Sequence, residues 1–117
     1  MDFARPFFDK AIECAKYIKD DTLIATYLNN LAQLLSNQGD SLGAEPLFRE
    51  AMAIDIKVHG RSHPDVAIDL SNLAWLLDEK GQKNEATTLG KEALAIRNRV
   101  LGPDHPDTMQ AQKDWGQ

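Results

Sequence analysis

Shifted by 42 positions, the chain lies on itself: residues 23–64 and 65–106 agree at about 18 of 42 aligned positions, which chance does not produce at such a period. Leu28-Asn29-Asn30-Leu31-Ala32-Gln33-Leu34-Leu35 falls on Leu70-Ser71-Asn72-Leu73-Ala74-Trp75-Leu76-Leu77, and the Ala44 to Ile54 segment falls on Ala86 to Ile96. Gly60, His63, Pro64 and Asp65 fall on Gly102, His105, Pro106 and Asp107. A repeat of this kind buries its apolar faces only against neighbouring repeats, so its core is a strip and its product is a surface.

Each repeat reads as two helices. In the first type, Leu28, Leu31, Leu34 and Leu35 recur on one helical face, with Ala32 where two backbones approach closely. In the second type, Ala44, Leu47, Phe48, Ala51 and Ile54 do the same. The spacing predicts helices over 4–18, 23–37, 42–58, 64–79 and 84–100, and another from 104. Because Ala4 to Ile12 matches Ala44 to Met52 at a shift of about 40, the chain opens on a second-type helix. The expected organisation is one domain, 1–117. Residues 4–19 form the second helix of a truncated repeat, 22–60 and 63–102 two full repeats, and 104–117 the first helix of a further one. The fold class is all-α, about two and a half repeats of antiparallel helix pairs.

Punctuation agrees with this layout. Gly39 and Gly81 stop the first-type helices in a left-handed turn that costs an ordinary residue about 1–2 kcal/mol and glycine little. Gly60 and Gly102 end the second-type helices, and Pro64 and Pro106 follow at a first helical position, where a missing N–H is harmless. Ser62 and Asp104 are the expected caps, and an Asp of Lys19-Asp20-Asp21-Thr22 caps the helix after it. Pro46 shares its phase with Pro6, while Thr88 replaces it in the next repeat, so proline there is tolerated and not required. Gly90 stands where Phe48 and Phe8 stand, which removes an aromatic core contact unless a neighbour fills the space.

The formal charge of -5, 13 basic against 18 acidic residues, argues against nucleic acid and anionic membranes, both of which reward basic patches. No apolar run reaches the roughly 18 to 20 residues that span a bilayer, and the N-terminus lacks a signal-peptide pattern. A soluble cytoplasmic protein is expected. Cys14 is the single cysteine, so no intrachain disulfide forms; it aligns with Ile54 and is expected as a small buried residue.

Chemistry-bearing motifs are absent. There is no G-x-S-x-G, phosphate-binding loop, G-x-G-x-x-G or clustered Cys/His pattern, so no catalytic residue, cofactor or metal is expected and the chain is not read as an enzyme. His63 and His105 share a phase, and the His59/His63 pair straddles Gly60, so turn and cap roles are expected for them. Glu50 and Glu92, beside Arg49 and Lys91, read as an exposed polar face.

Leu28-Asn29-Asn30-Leu31-Ala32, Ala44-Glu45-Pro46-Leu47-Phe48-Arg49-Glu50-Ala51 and Leu101-Gly102-Pro103-Asp104-His105-Pro106-Asp107 together resemble the tetratricopeptide repeat, in the 42-residue variety of kinesin light chains. The resemblance implies helix pairs stacked into a right-handed superhelix that binds peptide segments along the concave face of its first-type helices. It places the family's groove asparagine at Asn30 and Asn72. Asn29, Gln33 and Asn37 join the groove in one repeat, and Ser71, Trp75 and Glu79 in the next, with Thr26, Ser36, Ile68, Asp78, Gln110 and Lys113 as further concave positions. Family members that clamp a C-terminal carboxylate use Lys and Arg at groove positions; Asn29, Ser71, Gln33 and Trp75 occupy those places here, which speaks against such a clamp.

Two readings follow. A protein or peptide ligand on the concave face is the first, with a backbone-gripping role for the asparagines and an anchor role for Trp75 set beside packing between neighbouring helices. The second is self-assembly into a homo-oligomer or end-stacked array through the terminal helices, since Phe3, Phe7, Phe8, Met109 and Trp115 are expected to lack covering partners.

Overall fold

In a computed structural model, which describes residues 4–116, the chain forms α1 (Ala4–Tyr17), α2 (Asp21–Asn37), α3 (Ser41–His59), α4 (Pro64–Glu79), α5 (Lys83–Leu101) and α6 (Pro106–Trp115). These are the expected helices to within two residues at each end, arranged in antiparallel pairs. Two compact units divide them, Met1–Val58 and His59–Gln117, with the boundary at the last residue of α3. Among the described residues, no helix is long and apolar enough to cross a membrane.

In the first unit, α1 packs on α2. Ile12 and Ala15 of α1, Ile24, Ala25, Leu28, Leu31, Ala32 and Leu35 of α2, and Ala44, Phe48 and Ala51 of α3 are buried. Each large member contributes about 1.5–3 kcal/mol relative to an exposed position, while the alanines let backbones approach. Lys57 near the end of α3 meets Asp21 at the start of α2, Nζ to Oδ2 3.4 Å, as an antiparallel pair requires. Pro46 sits inside α3, where it removes one hydrogen bond of the opening turns.

Cys14 departs from its expected place: its side chain is exposed, and with Phe7, Tyr17 and Ile18 it lies on a side of α1 and its following turn that no described helix of the unit covers. Phe8 is half-buried, and Phe3 lies outside the described residues.

In the second unit, α4 packs on α5 and α5 on α6. Val66, Ala67, Leu70, Leu73, Ala74, Leu76 and Leu77 make α4 the most buried helix, opposite Ala86, Ala93 and Ile96 of α5. The void expected at Gly90 is filled. A Cβ built there would overlap the Trp115 ring, so the indole of α6 occupies the space that phenylalanine holds in α3. Trp115 is therefore only 8 % exposed, against its expected exposure at the end of the chain, and Met109 alone of that pair is exposed.

The turns follow glycine geometry. Gly39 and Gly81 have φ of 83° and 84°, with Asp40 N–H donating to Leu35 O and Gln82 N–H to Leu77 O across them. Lys19 repeats this arrangement without being glycine: φ is 59°, and Asp20 N–H donates to Ala15 O. Asp20 then caps α2 through Leu23 N–H at 3.0 Å. For α4 and α6 the caps are not Ser62 and Asp104. His63 and His105 take that position, each Nδ1 accepting from the N–H of Asp65 or Asp107 at 3.1 Å. With proline at the first helical position, the residue before it is the cap, and an unprotonated imidazole nitrogen serves as an asparagine oxygen would.

Candidate functional site

Ser71 and Trp75 lie one turn apart on the same face of α4, and α5 and α6 wall them in to form a hollow of about 200 Å³. Asp107, Gln110, Asp114 and Trp115 line it from α6, and Arg97 from α5. Trp75 is 46 % exposed, its ring 5.0 Å from that of Trp115 and tilted by 51°. Trp115 in turn is seated against Gly90, so the absence of a side chain in α5 sets where the Trp75 indole rests.

Arg97 reaches the hollow half-buried and donates Nη1–H to Ser71 Oγ at 2.8 Å, while Thr108 of α6 donates its hydroxyl to Arg97 O at 3.2 Å. Burial pushes the guanidinium below its usual pKa, and the negative charges of Asp107 and Asp114 pull it back up. It stays charged. Asp114 also accepts from Gln110 Nε2 at 3.1 Å, which stiffens that wall.

The expected site residues divide by unit. On α2, Asn30, Gln33 and Asn37 share an exposed face, and Gln33 Nε2 donates to Asn37 Oδ1 at 3.0 Å, so these two partly satisfy each other. Asn29 is half-buried and, like Asn72 on α4, has a partner within the fold. Glu79 is exposed at the end of α4 beside Asp78, whose Oδ1 pairs with Lys83 Nζ at 3.0 Å. Of the eight residues named from sequence, Ser71 and Trp75 line the hollow, joined by the further concave position Gln110.

Arg97 was not among the expected residues. Its counterpart one repeat earlier is Asp55, and it belongs to a second-type helix, outside the face from which groove residues were drawn. A signal existed: Arg97 is four residues after Ala93 and seven after Gly90, both buried, so a cation interrupts the inward stripe of α5.

His59, His63 and Asp65 gather at the α3–α4 turn, with donor atoms within 4.8 Å of one another. The two imidazoles stack, centroids 4.0 Å apart and planes 13° from parallel. Their lone pairs lie in those near-parallel planes and so do not converge on one point, and His63 Nδ1 is occupied as the α4 cap. The arrangement suits a rigid turn better than a coordination sphere.

A family model described as tetratricopeptide repeat matches residues 23–99. Among solved structures, the nearly identical TPR-like repeats of a Podosopora anserina protein, provisionally assigned as a kinesin light chain, superpose with a TM-score of 0.81 at 21% identity, covering 92% of this chain and 52% of that one. A variant of that protein gives 0.80 with the same identity and coverage. This chain thus spans about half the length of those structures, and at such identity the likeness bears on the fold alone. No curated protein matches the chain.

Proposed function

The chain belongs to the tetratricopeptide repeat family, whose domains are generally protein–protein interaction modules and typically non-catalytic, and on that premise we propose that it binds a peptide or protein segment along the exposed face of its first-type helices. The observation that carries this is Trp75: a large indole, half exposed at the rim of a hollow, on a helix whose other apolar residues are mostly buried. An aromatic of that kind gains most when a partner desolvates it. Ser71 and Asn72 in the second unit, and separately Asn30, Gln33 and Asn37 in the first, supply amide and hydroxyl groups of the kind that grip an extended backbone, which has no hydrogen-bond partners of its own. The hollow is smaller than the roughly 300–1,000 Å³ of small-ligand pockets, which favours a side chain of a larger partner over a free metabolite.

The test is a peptide array probed with the intact chain and with a triple variant, Asn30→Ala, Asn72→Ala and Trp75→Ala. Loss of the bound peptides by the variant is expected. Retention of every one at unchanged strength would remove the first-type face as the binding surface.

A second reading has its own observation. On α1 and its turn, Phe7 is 64 % exposed, Tyr17 88 % and Ile18 61 %, an apolar side available to a second copy of the chain. This homo-oligomer reading uses a different helix and is compatible with the first.

A further inference from the structure

We infer that the hollow beside Trp75 accepts a basic side chain, lysine or arginine, from the bound segment; this rests on the peptide-binding reading above. Two carboxylates, Asp107 and Asp114, share the lining with one guanidinium. That guanidinium is already engaged, its Nη1 bonded to Ser71 Oγ and its charge facing both acids. An incoming carboxylate would therefore meet two like charges beside a single cation whose field those acids already offset. An incoming ammonium or guanidinium meets a lining with one excess negative charge.

The aromatic wall points the same way. The face of an indole attracts cations through its quadrupole, and the methylene stem of lysine or arginine packs on the ring while its head stays polar. Trp75 is held by Trp115 at a fixed tilt, so little ordering is left for the guest to impose. The feature belongs to the second unit alone. One repeat earlier, Gln33 stands for Trp75 and Asp55 for Arg97, so the first-type face there has neither the indole nor the guanidinium. The net charge of -5 adds a longer-range attraction for a basic segment.

The chain has two tryptophans, so a ¹⁵N-labelled sample shows two indole N–H signals, and Trp75→Gln, which installs the residue of the other repeat, assigns them. The probes are N-acetyl-lysine amide, N-acetyl-arginine amide and N-acetyl-glutamate amide at matched ionic strength. The two basic probes are expected to move the Trp75 signal saturably, and the glutamate probe to bind about tenfold more weakly. Asp107→Asn with Asp114→Asn should erase that preference while leaving the amide spectrum dispersed; where the double variant does not fold, Asp114→Asn alone should reduce it. Equal response to all three probes, or an unchanged preference in the Asn variant, overturns the inference. The peptide array separates the two readings: retained peptides with no enrichment in lysine or arginine overturn this inference alone, whereas an array that retains nothing overturns both.

Discussion

Gly90 decides more than any other single residue in the second unit, because the Trp115 ring lies where its side chain would be. Replacing it with alanine sets a helix-propensity gain of about 1 kcal/mol against overpacking of about 1–3 kcal/mol. The indole is rigid and closely held, which puts the cost at the upper end of that range: Gly90→Ala is expected to lower stability by up to about 2 kcal/mol in denaturant unfolding. In a Trp75→Phe background, where Trp115 is the remaining indole, its emission should move to the red as the ring is displaced. Lys19 offers the opposite change. Its φ of 59° costs about 1–2 kcal/mol that glycine does not incur, less about 0.5–1 kcal/mol for the freedom glycine adds to the unfolded chain. Lys19→Gly should thus stabilise by about 0.5–1 kcal/mol, read as a shifted denaturation midpoint at constant slope. Strain at Lys19 was not legible in sequence, since nothing in a lysine reveals a positive φ; the two glycines at equivalent turns were the available hint. Cys14 matches Ile54 in phase, but Ile54 is itself only half-buried, and on α1 none of the described helices of its unit covers that face.

Among the helices, α6 depends most on its ends. At 10 residues it is shorter than the roughly 12–15 that remain marginal on their own in water, so it persists through the His105 cap, the Thr108 bond to α5 and the seating of Trp115. His105→Ala removes the acceptor for Asp107 N–H and is expected to cost about 1 kcal/mol. Amide exchange should accelerate across α6 with α4 and α5 little changed, and His105→Asn should restore protection; uniform acceleration through the second unit would show that α6 does not open separately. At the helix crossings, Ala51 and Ala93 are both fully buried, so Ala51→Leu or Ala93→Leu should each destabilise by about 1–3 kcal/mol, measured by thermal unfolding. Helix spans were readable because the 3.6-residue apolar period and the glycine stops act together. The caps were less so. Preference statistics pointed to Ser62 and Asp104, whereas the prolines at the first helical position place the cap on the histidine before each of them.

For the chain as a whole, the repeat was the most legible property, because the buried strip must recur for each unit to pack and so is written in the sequence every 42 residues. The exposed face obeys no such constraint. Trp75 against Gln33 and Arg97 against Asp55 are departures from the period, and the candidate site lies where the repeat disagrees with itself. Phe7, Tyr17 and Ile18 place aromatic and branched apolar surface in water, interleaved with Arg5, Lys10 and Lys16 against Asp9 and Glu13, charges of both signs. Such a face can meet its own copy across a two-fold axis with opposite charges in register. A single 14-residue helix presents less surface than the roughly 1,200–2,000 Å² of a stable interface, so the association should be weak and depend on concentration. Sedimentation velocity should give a mass that rises from dilute to concentrated solution. Phe7→Ser with Ile18→Ser should hold the chain at its monomer mass while leaving peptide binding unchanged, because α1 is a second-type helix and contributes nothing to the hollow at Trp75. If the unaltered chain keeps one mass throughout, a second copy is not what covers α1.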